Sequence, residues 1–455
     1  MLAIFRVVAV VTVLAALTQG AAAAGVIENE PGPPALAPGA AQDLQAEADR
    51  SAGRIEPKVI AHRRQLHQHP ELGNREFETA KYIARELKAL GIEVQTGVAH
   101  TGVVGVLRGA LPGPVVALRA DMDALPVAEE VDLPFASKVR AKFDGKDVGV
   151  MHACGHDAHV GILLGTAEVL AGMKARLPGT VKFIFQPAEE GAPDGEDGGA
   201  ELMVREGVLR SEPKPEVIFG LHVFSEWDAG QLKYRAGGAM ASAEDLEIRV
   251  RGKQTHGASP WKGIDPIVVS AQVVLGLQTI ASRQMELTRA PVIVTIGKIE
   301  GGVRNNIIPD EVTMKGTLRA LDTAMQQDLH ERVHRTAENI AAASGATATV
   351  TIGTEVAYPV TYNDPALVAR LLPTLQRVAG AQNVAEVPPI MGAEDFSFYA
   401  REIPGFFVFV GARPPGESPD KAAANHSPRF HIDESALKIG VRTLSSLTLD
   451  YLQHR

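Results

Sequence analysis

The pattern of apolar and polar positions divides most of the chain into strands and helices. Four apolar runs have the near-continuous hydrophobic character of strands that are covered on both faces; they span residues 102–109, 114–122, 180–190 and 216–223. Helical patterns begin at Glu56 and cover residues 76–90 and about 159–176. Strands that alternate with helices in this way predict an α/β fold, in which a mixed sheet is flanked by helices.

The pattern changes near Gly237. The run ASAEDLEIRVRGK alternates apolar and polar positions, which is typical of a half-exposed strand. Helical patterns at 265–286 and 323–344, with further strands around them, complete the order β-α-β-β-α-β. This order predicts an α+β sandwich of the ferredoxin-like kind, about 115 residues long, inserted at residues 237–355.

The alternation of strands and helices resumes after the inserted segment. FFVFVG at 406–411 predicts a strand, and a last helix is expected at 434–453. The simplest organisation is therefore one larger domain in two parts, residues 56–236 and 356–455, interrupted by the smaller one. A length of 455 residues also favours two domains over one.

The first 55 residues have a different character. A positive charge at Arg6, an apolar run from Val7 to Leu17 and small residues after it predict a signal peptide over residues 1–24. The alternative is an uncleaved membrane anchor, but the strongly apolar core is only about half of the ~20 residues that span a bilayer. Residues 25–55, rich in Pro, Ala and Gly, are expected to form a flexible lead-in. We therefore expect a periplasmic or secreted protein without stable membrane association after cleavage.

Charge and cysteine content narrow the choice of function. A formal charge of −9, without a long block of like charges, argues against a nucleic-acid partner. The single cysteine, Cys154, cannot form an internal disulfide. It lies in the unusual stretch MHACGHDAH, which holds three histidines and an aspartate within nine positions.

Polar side chains follow the ends of the predicted strands. Ligands of open α/β sheets bind beyond the carboxyl ends of the strands, so residues distant in sequence are expected to converge at one edge. The residues in such positions are Asp121 and Asp123, Glu189 and Glu190, His222, and His426, while Cys154 and His156 lead into the long helix.

The chemistry of these residues fits a metal site. Imidazole, thiolate and carboxylate are the usual donors to divalent metals in proteins. On an extended chain the adjacent carboxylates of Glu189 and Glu190 point to opposite sides, so one can bind metal while the other acts as a base. Each feature alone has an ordinary structural explanation: a buried cysteine, a helix cap, a solvated pair of glutamates. Their coincidence at four strand ends favours a hydrolytic metal site.

The motifs resemble those of a known family. They include LHQHPELGNREFET, ALRADMDALP, MHACGHDAHVG, FQPAEEG, GLHV, THGASP, GGVRNNIIPD, MGAEDFSFY and NHSPRFHIDE, in this order from about residue 56 to the end of the chain. This set resembles the aminoacylase, hippurate hydrolase and auxin-conjugate (IAA-amino acid) amidohydrolase family of di-metal metallopeptidases. The resemblance implies a zinc-exopeptidase-like catalytic domain interrupted by a lid or dimerisation domain.

The resemblance also implies roles for individual residues. Two divalent ions per chain, Zn or Mn with Co or Ni as alternatives, would be held by Cys154 (bridging), His156, Glu190, His222 and His426. Glu189 would be the general base, and Asp123 would orient a ligand. A histidine stands in related exopeptidases where this chain has Asp121, so Asp121 is not counted among the ligands. The lid would contribute His256, which would reach the active site of the partner subunit in a homodimer and stabilise the oxyanion there. Asn306 and Arg319, also on the lid, would bind the carboxylate of the substrate.

The expected activity follows from this resemblance. It is hydrolysis of the amide bond of an N-acyl amino acid, hippurate-like, acetylated or indole-acylated, to a carboxylic acid and a free amino acid. A di-metal dipeptidase or carboxypeptidase would use the same residues. An exported, non-catalytic binding protein is the remaining alternative, and it would not need Glu189 beside five ligand-type residues.

Overall fold

The larger sheet is built on both sides of the inserted segment. The computed structural model describes residues 38–453, with side chains from residue 43 onward. The predicted signal peptide, residues 1–24, lies outside the described residues. The first part of the chain forms α1 (Pro38–Gln68), α2 (Phe77–Ala89), β1 (Glu93–Val98), β2 (Gly102–Arg108), β3 (Leu111–Asp121), β4 (Arg140–Phe143), β5 (Lys146–Gly149), α3 (His156–Gly172), β6 (Pro178–Gln186), α4 (Gly199–Arg205), β7 (Val217–Asp228), β8 (Leu232–Tyr234) and β9 (Gly237–Met240).

The middle and last parts of the chain complete the fold. The middle part forms β10 (Ala243–Arg251), β11 (Thr255–His256), α5 (Pro266–Thr279), β12 (Val292–Gly301), β13 (Ile307–Ile308), β14 (Glu311–Ala320), α6 (Thr323–Ala343) and β15 (Thr347–Tyr358). The last part forms β16 (Thr361–Asn363), α7 (Pro365–Ala379), β17 (Val384–Glu386), α8 (Phe396–Glu402), β18 (Gly405–Arg413) and α9 (Ser435–Gln453).

The eight-stranded mixed sheet has the order β1-β2-β6-β3-β7-β18-β8-β17. Its central strands β6, β3, β7 and β18 run parallel to one another, so their carboxyl ends meet at one edge. Alternate residues of these strands face two apolar layers, because Leu118 packs in the core beneath α1, α3 and α9 while Ala117 packs in the core with α4 and α8. Strands covered on both faces account for the near-continuous apolar runs.

The middle part of the chain forms a separate four-stranded antiparallel sheet, ordered β12-β14-β10-β15. Helices α5 and α6 pack against it around a hydrophobic core of its own. This is the predicted β-α-β-β-α-β arrangement, with the strand order of a ferredoxin-like sandwich. The two segments that enter and leave it, β9 and β16, pair with each other in a short antiparallel ribbon.

The predicted lead-in is wrong over its second half, because residues 38–55 belong to helix α1. Leu44, Ala48 and Ala52 repeat at four-residue spacing, are each at most 2% exposed and join the main core. The Gln45 side chain donates hydrogen bonds to the Ser446 carbonyl (3.2 Å) and to Asp450 (2.8 Å) on α9. The Pro and Gly residues that suggested a flexible segment are concentrated at 31–41, whereas the helical stripe after them is short and rich in alanine.

Among residues 38–453, none of the helices has both the length and the apolar character needed to cross a bilayer.

The Leu44→Ala substitution tests whether the start of α1 belongs to the folded core. The truncation leaves a cavity among buried side chains, so we expect the free energy of unfolding to fall by about 2–4 kcal/mol. Denaturant unfolding at a fixed metal concentration measures this change. Arg50→Ala, at an exposed position of the same helix, is the control. Equal stability of the two variants would contradict the packing of this segment.

Candidate active site

Five ligand-type side chains converge at the carboxyl edge of the large sheet. Cys154 Sγ lies 3.3 Å from His222 Nε2 and 3.2 Å from His426 Nε2. His426 Nε2 lies 3.1 Å from Glu190 Oε1, and His156 Nε2 is 4.0 Å from the same oxygen. Donor atoms bound to one ion at ~2.0–2.3 Å lie at such separations from one another. The structure therefore brings together all five predicted ligands, which come from four separate segments of the chain.

The hydrogen bonds of the histidines prepare them as ligands. His156 Nδ1 donates to the Asp123 carbonyl (3.0 Å) and carboxylate (3.1 Å), and His222 Nδ1 donates to the Val223 carbonyl (2.8 Å). With Nδ1 protonated, each ring presents the lone pair of Nε2 to the cluster. The His156 Nε2 atom is buried and has no hydrogen-bond partner among the described residues. An orphaned acceptor surrounded by thiol and carboxylate groups fits a bound divalent cation.

A glycine explains why Cys154 and His156 face the same site. Gly155 has φ 94°, in the left-handed region, and caps the amino end of α3. A Cβ there would stand 2.4 Å from Val223 Cγ2. The chain therefore turns sharply between the two donors, and another residue would meet both backbone strain and a clash.

Two non-glycine residues at the site also have left-handed backbones. Ala188, directly before Glu189, has φ 49°, and His426 has φ 71°. The Ala188 N–H donates to the buried carboxylate of Glu76 (2.9 Å). The Asn425 amide donates to the Cys154 and Val223 carbonyls (3.0 and 3.1 Å). These contacts hold in place a backbone conformation that is otherwise unfavourable, as is common at active sites.

Asp123 connects two members of the cluster. One of its carboxylate oxygens accepts from His156, and the other accepts from the Glu190 N–H (3.0 Å). Asp121 has a different neighbourhood. Its Oδ1 accepts from His159 Nδ1 (2.6 Å), and His159 Nε2 accepts from the Val223 N–H (2.9 Å). The Asp121–His159 pair therefore supports the strand at His222 from behind.

Glu189 is a buried carboxylate beside the cluster. Its Oε2 lies 3.9 Å from His156 Nε2, and its Oε1 accepts weakly from the Asp395 N–H (3.4 Å). Burial raises the pKa of Glu189 well above its usual range, with further upward contributions from Glu394 and Glu190. A carboxylate that holds a proton readily and lies next to the donor cluster is suited to proton transfer.

A fully buried arginine organises the carboxylates behind the site. The Arg119 guanidinium donates to Asp121 (2.7 Å), Asp395 (2.7 Å) and Gln186 (2.8 Å), and it lies 2.9 Å from Glu394. Sequence reasoning did not assign Arg119 a role. A charged residue inside the apolar run VVALRADM was the signal that it must have buried partners.

Four of the five donors, all except His156, line a cavity of about 270 Å³ together with Glu189 and Asn425. Beside the donors, the cavity is lined by Phe224, Met240, Tyr358, Ile390 and the segment 392–394. The Tyr358 hydroxyl donates to the Glu189 carbonyl (2.7 Å) and so fixes the backbone of that residue. Tyr358 lies at the end of β15, and no motif in the sequence marked it.

The three predicted lid residues do not line this cavity. His256 and Asn306 are exposed and lie next to each other, because β11 pairs with β13 and the Gly257 N–H donates to the Asn306 carbonyl (2.8 Å). Arg319 is partly buried within the smaller sheet. The structure thus groups His256 with Asn306 but brings none of the three to the donor cluster.

Comparison with known proteins identifies the family. Residues 117–450 match the sequence profile of peptidase family M20/M25/M40. The chain belongs to this family. Thermostable carboxypeptidase 1 of Saccharolobus solfataricus is 39% identical over 410 residues, which cover 90% of this chain and 99% of that protein. IAA-amino acid hydrolase ILR1-like 4 of Arabidopsis thaliana is 40% identical over 396 residues, which cover 87% of this chain and 86% of that protein.

A solved structure shares the fold of this M20 peptidase. The YXEP protein of Bacillus subtilis, described as a dinuclear metal binding peptidase of the M20 family, superposes with a TM-score of 0.72 at 35% identity, covering 87% of this chain and 98% of that one. The resemblance seen in the motifs and the α/β fold class are both confirmed. The M20 peptidase described here is a hydrolase of amide bonds.

Removal of a donor tests the cluster as a metal site. We expect Cys154→Ala and His426→Ala to weaken zinc or manganese binding at least ~100-fold, more than the loss of an outer-shell partner costs. Metal content after dialysis, measured by mass spectrometry, reports this loss. His431→Ala is the matched control, since His431 lies in the same loop but contacts Glu417 (3.3 Å). Unchanged metal content in both donor variants would exclude this cluster as the site.

Proposed function

We propose that this M20 peptidase is a metal-dependent amidohydrolase of N-acyl amino acids, releasing a carboxylic acid and a free amino acid. The observation that supports it most directly is the buried carboxylate of Glu189 beside five converging donors. A binding protein has no use for such a base. The relative named as an IAA-amino acid hydrolase supports acyl conjugates as substrates. The relative named as a carboxypeptidase supports peptide substrates as the second candidate.

The donor set suits two divalent ions. Cys154, His156, Glu190, His222 and His426 would hold them, with Cys154 central because its Sγ lies within 3.3 Å of two imidazoles. Thiolate and imidazole favour zinc, and carboxylate also suits manganese, with cobalt and nickel as further candidates. When bound, such ions lower the pKa of a coordinated water and polarise the scissile carbonyl.

The proton transfers fall to Glu189. Its carboxylate accepts the proton that leaves the attacking water, whose oxygen forms the new bond to the amide carbon. The same proton then passes to the amine nitrogen as the C–N bond breaks, so Glu189 ends the cycle as it began. Tyr358 and Asp395 hold Glu189 in position through the backbone contacts described above.

The three lid residues, which do not line the cavity within one chain, reach the substrate by domain closure or from a second chain. We propose that His256 stabilises the oxyanion in the cavity of a partner subunit, and that Asn306 and Arg319 bind the carboxylate of the substrate. Their location on the smaller domain, away from the donor cluster, supports a contribution that needs domain closure or a second chain.

A homodimer through the smaller domain completes this proposal. Helix α5 exposes an apolar stripe, in which Val268 is 54% and Leu275 is 70% exposed, and β12 is an edge strand of its sheet. Exposed apolar stripes and free sheet edges favour association. We expect light scattering to give twice the chain mass, and Leu275→Lys to shift it toward one chain. Asn339→Lys, at an exposed position of α6, is the control; a single-chain mass for the unmodified protein would reject the dimer.

The activity is tested by amino-acid release from N-acyl amino acids and from dipeptides. We expect release from acyl conjugates, lost with a chelator and restored by zinc or manganese. Glu189→Gln is expected to keep bound metal while turnover falls by about 10²–10⁴-fold, because the base is removed and the ligands are not. Near-normal turnover of this variant would reject Glu189 as the base. Activity on dipeptides alone would favour the carboxypeptidase candidate.

A further inference from the structure

The cavity at the donor cluster also has an apolar wall. Phe224, Met240, Ile390, Gly392 and Ala393 line this part of the cavity. The Phe224 ring lies 4.8 Å from the His222 ring, centroid to centroid, so the wall begins directly beside a metal donor. Phe224 is itself braced by Trp227 (4.7 Å) and Phe409 (5.4 Å). A group held against this wall therefore lies next to the reacting carbonyl.

The side chains of the lining differ in how well they suit the two halves of the substrate. Among the described residues that line the cavity, none is a lysine or an arginine, while Glu189, Glu190 and Glu394 are acidic. None of these lining residues is therefore a permanently cationic side chain that could pair with the carboxylate of the released amino acid. The acyl group of the substrate is uncharged and gains from contact with apolar side chains.

The apolar wall is held together by the backbone. Met240 forms a parallel bridge with Ile390, and the Ala241 N–H donates to the carbonyls of both Ile390 and Gly392 (3.0 Å each). A Cβ placed on Gly392 would lie 3.6 Å from Ile390 Cγ2 and 3.6 Å from Met240 Cε. These are ordinary contact distances, and Gly392 is not among the glycines with positive φ. Neither strain nor a clash requires glycine here, so what its missing side chain provides is space.

We propose that Phe224, Met240, Ile390 and Gly392 form the acyl pocket, that it takes a compact apolar acyl group such as benzoyl, and that Gly392 sets its size limit. The proposal rests on the proposed function. The cavity of about 270 Å³ is slightly smaller than the pockets of drug-sized molecules, whose volumes run from roughly 300 to 1,000 Å³. It is matched to a single ring rather than to a long fatty chain.

The test compares acyl groups on one amino acid. The metal-loaded full chain is given N-acetyl-, N-benzoyl-, N-(2-naphthoyl)- and N-lauroyl-L-alanine, and kcat/KM is measured for each. We expect benzoyl to exceed both acetyl and lauroyl by at least about tenfold, since one methylene group in a fitted pocket is worth about 10–200-fold. A lauroyl preference would overturn the proposed size limit.

Two variants move the preference in opposite directions. Gly392→Ala fills the pocket, and the benzoyl-to-acetyl ratio of kcat/KM should fall about tenfold. Met240→Ala enlarges it, and the naphthoyl-to-benzoyl ratio should rise about tenfold. Gly53→Ala is the matched control, because Gly53 lies exposed on α1 with nothing within 4 Å of an added Cβ. Bound metal and melting temperature, measured for each variant, show that the ratios come from folded, loaded enzyme.

The outcomes separate the pocket from the reaction. Turnover of N-acyl alanines with ratios unchanged in both variants overturns the pocket and leaves the proposed function standing. A changed preference for the released amino acid, at constant acyl ratios, places the other half of the substrate on the wall and also overturns it. Hydrolysis of dipeptides and of no N-acyl alanine overturns the proposed function and the acyl pocket together.

Discussion

The charge balance around Arg119 is the constraint on which the geometry of the site depends. This guanidinium is fully buried and reaches Asp121, Glu394 and Asp395 within 3 Å. Taking an isolated charge out of water costs several kcal/mol, and the cost is offset only when partners surround it closely. Because these partners come from β3 and from the loop before α8, the charge requirement ties together segments more than 270 residues apart in sequence.

The partners of Arg119 are connected to the residues of the cavity by one or two hydrogen bonds. Asp395 accepts from the Ala200 N–H and from Gln186, while its own N–H faces the Glu189 carboxylate. Asp121 is hydrogen-bonded to His159, which in turn accepts a hydrogen bond from the backbone N–H of Val223, the residue after His222. A base and a metal donor are thus positioned from behind by groups that never reach the cavity surface. Rigid support of this kind is what a hydrolytic site requires, because misplacement by about 1 Å can cost on the order of 10²-fold in rate.

The sequence was informative wherever local pattern and strand direction suffice. Parallel strands carry their carboxyl ends to one edge, so the sequence alone predicts that Cys154, Glu190, His222 and His426 converge there. The alternation of apolar and polar residues likewise predicted the smaller sheet. The start of α1 was missed because the nearby Pro and Gly residues dominate the composition. The helix forms there because Leu44, Ala48 and Ala52 are buried in the main core. Arg119 and Tyr358 depend on partners distant along the chain, which no local pattern encodes.

The crossover ribbon of β9 and β16 connects the smaller domain to the wall of the cavity. Met240 ends β9 and pairs with Thr361 on β16, whereas the metal donors belong to the sheet edge and to the loops around it. Met240 is the residue of the ribbon that lines the apolar wall. Thr361, on the other strand of the ribbon, donates a hydrogen bond to the carbonyl of Glu394 (3.0 Å), a partner of Arg119. The proposed acyl pocket therefore has one of its walls on the segment where the chain crosses between the two domains.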